Sequence, residues 1–174
     1  SRIDLAVHSL KDMPVQLPDG LTLGAIPARE DPRDALVSRS GRQFAALPPG
    51  ARIGTSSLRR QVQLKLLRKD IQIETLRGNL DTRLRKLSEG QYDAIVVAAA
   101  GLKRLGWQER ATQFFTPDEM VPAIGQGALA LEARADDTEL LQGLSFLRDP
   151  AAEAATRAER AFLARLGGGC QVPI

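Results

Sequence analysis

The chain has 174 residues with a 43% hydrophobic fraction, which is enough for one large domain or two small ones with a buried core. No apolar run reaches the roughly 18 to 20 residues that a membrane-spanning helix needs, so no association with a membrane is expected. The formal net charge is only +3, but Arg outnumbers Lys by 19 to 5, and Arg is the residue suited to two-pronged capture of carboxylates or phosphates.

The first predicted elements are two short apolar strands, over residues 3–7 and 21–26, the second after the turn signal Pro18-Asp19-Gly20. A polar loop, residues 8–14, lies between them. Such a loop at the end of a buried strand is where α/β proteins place their chemistry. A third strand is predicted over 35–38. It follows a charged segment that starts at Arg29, which we interpret as a crossover between domains.

From residue 52 onward, predicted strands and helices alternate. The predicted strands cover 52–54, 71–76 and 94–98, and the predicted helices cover 57–68, 79–88 and a segment from residue 100 onward. This alternation indicates an α/β fold with a mostly parallel sheet and helices on both faces. A further strand is predicted over 128–132, followed by helices over 137–147 and 150–166.

Arginines follow three successive predicted strands. Small hydroxyl residues at 55–57 begin a helix, where backbone N–H groups and the helix dipole can hold an anion, and Arg59 and Arg60 come next. Arg77 ends the next strand, Arg83 lies in the helix after it, and Arg104 follows the third strand. Since the ends of parallel strands meet at one edge of a sheet, this pattern predicts a site for an anion. Each turn alone also fits an ordinary helix cap with solvated arginines.

The loop over residues 8–14 offers a second candidate group. Asp12 is suited to act as a general acid or base, or to stabilise a cation that forms beside it. A surface pair of Lys11 and Asp12 is the simpler interpretation of this dipeptide taken alone. His8 is expected to be a hydrogen-bonded structural residue.

Cys170 is the only cysteine, so no intramolecular disulfide can form and a reducing, cytoplasmic compartment is expected. The three glycines before it, 167–169, leave open access to the thiol, which suits a thiol that carries a bulky group. A buried structural cysteine fits the same spacing. No metal site is expected, because His8 and Cys170 have no ligand partners at a suitable spacing.

Seven segments, taken in order along the whole chain, closely resemble the porphobilinogen deaminase family. They are residues 8–14, 29–34, 54–60, 76–79, 99–106, 125–127 and 169–173.

The resemblance implies a transferase of tetrapyrrole biosynthesis that joins four porphobilinogen units into linear hydroxymethylbilane, with loss of one ammonia per unit. It implies a dipyrromethane cofactor attached through a thioether to Cys170. Asp12 matches the family's catalytic aspartate, which is expected to bind pyrrole N–H groups and stabilise the azafulvenium cation. Arg77 and Arg104 are expected to bind substrate. The residues expected to bind the cofactor are Ser9, Lys11, Thr55, Ser57, Arg59, Arg60 and Arg83.

The fold implied by the resemblance has two periplasmic-binding-protein-like domains with mostly parallel sheets and crossovers, and a third α+β domain. On that template 1–28 and 122–135 belong to domain one, 29–121 is domain two, and 136–174 is a linker and the start of domain three. The chain is therefore expected to be an internal fragment, inactive by itself, of a monomeric enzyme.

One alternative from another functional class stays open. A solute-binding protein of the same fold would capture an organic anion without catalysis, and it would need neither Cys170 nor Asp12. A nucleic-acid binder rests only on the isoelectric point near 9.4 and ranks last, because aromatic residues suited to base stacking make up only 4% of the chain.

Overall fold

The computed structural model describes residues 3–167. Within this range the chain forms two compact units. The first unit contains residues 3–32 and 123–167, and the second unit contains residues 33–122. No helix of the described range is both long and apolar enough to cross a membrane.

The described residues form eight strands and five α-helices. The strands are β1 (Leu5–Ser9), β2 (Leu21–Ala25), β3 (Asp34–Ser38), β4 (Arg52–Gly54), β5 (Gln72–Glu74), β6 (Ala94–Ala98), β7 (Gln113–Phe114) and β8 (Leu129–Arg134). The helices are α1 (Leu58–Leu67), α2 (Leu80–Ser88), α3 (Ala99–Arg104), α4 (Thr138–Gly143) and α5 (Pro150–Arg165).

The first unit is built on a three-stranded sheet in the order β1-β8-β2, and β8 is antiparallel to both of its neighbours. A single 3₁₀ turn, Leu10–Asp12, follows β1 directly and buries Leu10. A small apolar cluster that includes Met13, Ala130 and Ala152 of α5 packs around Leu10. Asp12, the last residue of this turn, is thereby held close to the end of β1.

The second unit is built on a five-stranded sheet in the order β5-β4-β6-β3-β7. β4 is parallel to β5 and to β6, whereas β3 is antiparallel to β6 and to β7. Parallel neighbours need a crossover connection, which α1 and α2 provide here. β3 pairs with β6 and not with β4, the next strand along the chain, and it runs antiparallel to β6.

The α/β class expected from the sequence is confirmed, but the strand directions are mixed rather than mostly parallel. Four of the six strand pairings in the described range are antiparallel. Two element predictions also differ from the structure. The helix expected over 137–147 ends at Gly143 and continues as a 3₁₀ turn, Ser145–Leu147, and the short strand β7 was not predicted.

Candidate functional site

The turn between β4 and α1 is held by its own hydroxyl groups. Ser57 is the N-cap of α1, and its Oγ accepts a hydrogen bond from the backbone N–H of Arg60 at 3.4 Å. Thr55 Oγ1 accepts one from the N–H of Ser57 at 3.2 Å, and Ser56 Oγ donates to the carbonyl of Leu76 at 2.7 Å. The predicted helix cap is confirmed, and the turn fixes where α1 begins.

Arg59 and Arg60 point into the interior of the second unit. Each has only 6% of its surface exposed, and the fully buried carboxylate of Asp34 lies between them. Arg60 donates from Nε to Asp34 Oδ1 at 2.9 Å, and its Nη2 lies 2.7 Å from the same oxygen. Arg59 Nη2 lies 2.7 Å from Asp34 Oδ2. The two guanidinium groups therefore share one carboxylate.

Both arginines also reach backbone carbonyls. Arg60 Nη1 donates to the carbonyl of Val96 in β6 at 3.1 Å, and Arg59 Nη1 donates to the carbonyl of Val121. Burial lowers the pKa of Arg59, and the charge of Arg60 lowers it further, while Asp34 opposes both effects. Asp34 is thus the charge that makes burial of this arginine pair tolerable.

The turn between β5 and α2 presents two further arginines. Arg77 is exposed, and its side chain has no hydrogen-bond or ion-pair partner within residues 3–167. Arg83 is half-buried and donates from Nε to the carbonyl of Gly78 at 2.7 Å. Burial lowers the pKa of Arg83, and the positive charge of Arg60 adds to this effect.

Arg83 also lacks a carboxylate partner among the described residues. Arg83 differs in this from Arg59 and Arg60, which both contact the carboxylate of Asp34. A half-buried cation without a counter-charge is what an anion-binding site requires before its ligand arrives.

Arg104 does not stand at a strand end. It is the last residue of α3 and is exposed. It lies six residues after the end of β6, which corresponds to about 9 Å along the helix axis. The strand-end pattern therefore does not by itself bring Arg104 to Arg77 and Arg83.

The residues predicted from the loop after β1 lie together in the first unit. Ser9 ends β1, Lys11 is half-buried, and Asp12 is exposed with no hydrogen-bond or ion-pair partner among the residues described. His8 Nε2 lies 3.0 Å from Glu132 Oε2, which agrees with the structural role expected for it. The carboxylate of Asp12 is thus available to a ligand.

A glycine-containing turn, residues 125–127, packs against the loop that carries Asp12. The N–H of Leu10 donates to the carbonyl of Ala128 at 3.0 Å, and a Cβ at Gly125 would lie 3.0 Å from Leu10 Cγ and 3.2 Å from the nitrogen of Lys11. Gly125 also has a φ of +70°, which favours glycine. The segment 125–127 was part of the family resemblance, and here it sets the position of the turn that carries Asp12.

Two residues important to these arrangements were not singled out from the sequence. Asp34 could have been noticed, because a carboxylate that opens an apolar strand is rarely left buried without a partner. Glu159 gave no local signal. It accepts hydrogen bonds from Arg29 and from the N–H of Gly125, which lie 130 and 34 positions away along the chain. The predicted cofactor anchor, Cys170, lies outside the described residues.

Comparison with known families gives two matches along the chain. Residues 1–142 match the family model described as "Porphobilinogen deaminase, dipyromethane cofactor binding domain", and residues 154–174 match "Porphobilinogen deaminase, C-terminal domain".

Curated relatives give the same result. The chain is 62% identical over 173 residues to a porphobilinogen deaminase of Roseiflexus castenholzii, covering 99% of this chain and 57% of that protein. It is 58% identical over 172 residues to the porphobilinogen deaminase of Syntrophobacter fumaroxidans, covering 99% and 56% respectively. The chain therefore spans somewhat more than half the length of the relatives it matches.

Solved structures resemble this chain at low sequence identity. A Bacillus subtilis lipoprotein described as methionine-binding matches with a TM-score of 0.50 and 11% identity, over 76% of this chain and 63% of that one. Protein PG110 of Staphylococcus aureus matches with a TM-score of 0.50 and 10% identity, over 81% and 64%. These likenesses concern the fold alone, and they confirm the expected periplasmic-binding-protein-like fold.

Proposed function

The chain belongs to the porphobilinogen deaminase family, with residues 1–142 matching the model of its dipyrromethane cofactor binding domain, and we propose that the full-length protein is a hydroxymethylbilane synthase. It would join four porphobilinogen units into linear hydroxymethylbilane for tetrapyrrole biosynthesis and release one ammonia per unit. The observation that carries this proposal beyond family membership is the half-buried Arg83, a cation without a carboxylate partner within residues 3–167, in the same compact unit as the buried pair of Arg59 and Arg60.

The excess of guanidinium groups fits the proposed substrate and cofactor. Each pyrrole ring carries two carboxylates, and Arg binds a carboxylate through two parallel hydrogen bonds. We assign substrate binding to Arg77 and Arg104. The cofactor would be bound by Ser9, Lys11, Thr55, Ser57, Arg59, Arg60 and Arg83. When bound, the dipyrromethane supplies the nucleophilic pyrrole carbon that accepts the first substrate unit.

Asp12 is assigned the catalytic role. Loss of ammonia breaks the bond between the aminomethyl carbon and its nitrogen, and leaves a substrate cation whose charge is shared with the pyrrole ring. An exposed carboxylate at Asp12 stabilises that cation and accepts a hydrogen bond from the pyrrole N–H. The support for this role is that Asp12 has no competing partner among the described residues.

Cys170 is assigned as the covalent anchor of the dipyrromethane through its sulfur atom. Attachment by a thioether needs a thiol that is not committed to a disulfide, and Cys170 is the only cysteine of the chain. We also propose that the full-length enzyme is cytoplasmic and monomeric.

The test is to measure porphobilinogen consumption and ammonia release by the full-length protein and its Asp12→Asn variant. We expect one ammonia per porphobilinogen consumed, and a loss of kcat of about 10²-fold or more in the variant. Asp19→Asn, in an exposed turn of the same unit, is the control and should keep full activity. Stoichiometric binding of porphobilinogen without ammonia release would instead favour the organic-anion-binding alternative.

A further inference from the structure

Asp34 occupies an unusual position in the second unit. It is the first residue of β3, its side chain is fully buried, and both of its carboxylate oxygens contact arginines of α1. Its two partners, Arg59 and Arg60, are consecutive in the sequence. Neither the family match nor the sequence pattern assigns a role to Asp34.

Consecutive residues of an α-helix do not normally meet. Their side chains leave the helix axis about 100° apart, and two guanidinium groups also repel each other. Here Oδ1 of Asp34 binds Arg60 and Oδ2 contacts Arg59, each at 2.7 Å. The Asp34 carboxylate therefore holds the guanidinium groups of Arg59 and Arg60 close together, although their side chains leave the helix in different directions.

A third arginine of the same unit is more exposed. Arg83 is half-buried, donates from Nε to the carbonyl of Gly78 at 2.7 Å and has no carboxylate partner in the described part of the chain. Arg60 is fixed by Asp34 and by the carbonyl of Val96, and its positive charge lowers the pKa of Arg83. Displacement of Arg60 would therefore change the field at Arg83.

We propose that Asp34 is a positioning residue for carboxylate binding: it touches no ligand, but it holds Arg59 and Arg60 so that they and Arg83 form one cationic site for the carboxylates of the pyrrole cofactor. This inference rests on the proposed function for the identity of the ligand. A purely structural Asp34 would neutralise buried charge and affect stability, without a selective effect on ligand affinity.

The experiment compares the full-length protein with Asp34→Asn and Asp34→Glu. Asp70→Asn is the matched control, because Asp70 pairs with Arg68 at the other end of α1 through two contacts, at 3.0 and 2.5 Å, in the same unit. KM and kcat for porphobilinogen are measured on the holoenzymes. The dissociation constant for adipate, a simple dicarboxylate, is measured by calorimetry on full-length protein made in a host without tetrapyrrole precursors, so that its carboxylate sites are empty.

We expect Asp34→Asn to raise the adipate dissociation constant at least tenfold. Because the cluster is assigned to the covalently attached cofactor, KM for porphobilinogen should change less than threefold in the loaded enzyme. Asp70→Asn should leave KM, kcat and the adipate dissociation constant within twofold of the wild type. A folded Asp34→Asn protein with unchanged adipate affinity would overturn the inference, as would failure of the wild-type protein to bind adipate.

If Asp34→Asn does not fold, Asp34→Glu, which keeps the charge and moves it by one methylene, decides. A shift in adipate affinity of at least threefold supports the positioning role, and no shift contradicts it. If the wild-type enzyme consumes no porphobilinogen, the proposed function fails, while the adipate measurements still judge the role of Asp34.

Discussion

Arg29 and Glu159 form a two-pronged ion pair, with Arg29 Nη1 2.5 Å from Oε1 and Nη2 3.2 Å from Oε2 of the glutamate. The same carboxylate accepts the N–H of Gly125 at 2.7 Å, and Arg29 Nε donates to the carbonyl of Gln126 at 2.9 Å. In the first unit, α5 is thereby tied to the glycine turn that supports the loop carrying Asp12.

Replacing Glu159 by Gln should therefore destabilise the full-length protein. The change removes the charge from a partly buried pair and weakens the hydrogen bond to Gly125, so we expect the free energy of unfolding to fall by about 2 to 3 kcal/mol in urea denaturation. Glu89→Gln is the control, because Glu89 pairs with Arg85 on an exposed helix surface and should cost less than about 0.5 kcal/mol. Equal losses in the two variants would contradict the importance given to the Arg29 pair.

Gly127→Ala should be more damaging than Gly20→Ala. Both glycines have positive φ, +88° and +80°, so both substitutions strain the backbone by about 1 to 2 kcal/mol. A Cβ at Gly127 would also overlap the carbonyl oxygen of Glu30, whereas one at Gly20 would have nothing within 4 Å. We expect a loss above about 3 kcal/mol for Gly127→Ala in thermal unfolding. If Gly127→Ala lowers the free energy of unfolding no more than Gly20→Ala does, the backbone near Glu30 shifts at little cost to make room for the added Cβ.

Arg83→Gln should reduce ligand affinity without reducing stability. Burial and the charge of Arg60 already work against the charged form of Arg83, so removing this cation should leave Tm unchanged or slightly higher. The dissociation constant for adipate, measured on cofactor-free full-length protein, should rise about tenfold, because a charge-assisted hydrogen bond to a carboxylate is lost. Arg85→Gln, two residues further along α2, should leave the adipate dissociation constant unchanged. A clear fall in Tm with unchanged adipate affinity would assign Arg83 a structural role instead.

Glu153 should titrate at a lower pH than an ordinary glutamate. The hydrogen bonds from Arg148, from Nε and Nη2 at 2.7 Å each, are the largest cause that holds its pKa below the ordinary value of 4.5. Because the folded protein favours the ionised carboxylate, Glu153 stabilises the fold at pH values above its pKa in the unfolded chain. This contribution is lost as the pH falls through the pKa of Glu153 in the folded protein. Arg148→Gln should raise the pKa of Glu153 toward 4.5 in an NMR titration of its carboxyl carbon. Arg165→Gln, which removes a charge from the same helix, should leave it in place.

Local sequence signals predicted the elements that local chemistry determines. Strands β4 and β6 have the predicted bounds, and α1 and α2 begin at the expected capping residues, Ser57 and Asn79. Each of these features depends on residues within one or two turns of the chain. The arginines near the starts of these helices, Arg59, Arg60, Arg77 and Arg83, were singled out for the same reason.

Features that depend on distant partners were not predicted. Asp34 lies 26 positions from Arg60, and no local pattern shows that consecutive arginines of α1 turn inward to share it. The antiparallel placement of β3 likewise depends on its partner β6, some 60 positions further along the chain. The domain limits, the ligand contacts of the site residues and the attachment to Cys170 stay predictions.

Intact-mass measurement of the full-length protein, made in a host that synthesises porphobilinogen, tests the central claim most directly. We expect a mass excess equal to two porphobilinogen units less two molecules of ammonia, located on the peptide that contains Cys170 and absent from a Cys170→Ser variant. An unmodified wild-type protein, or an excess that persists in Cys170→Ser, would contradict it.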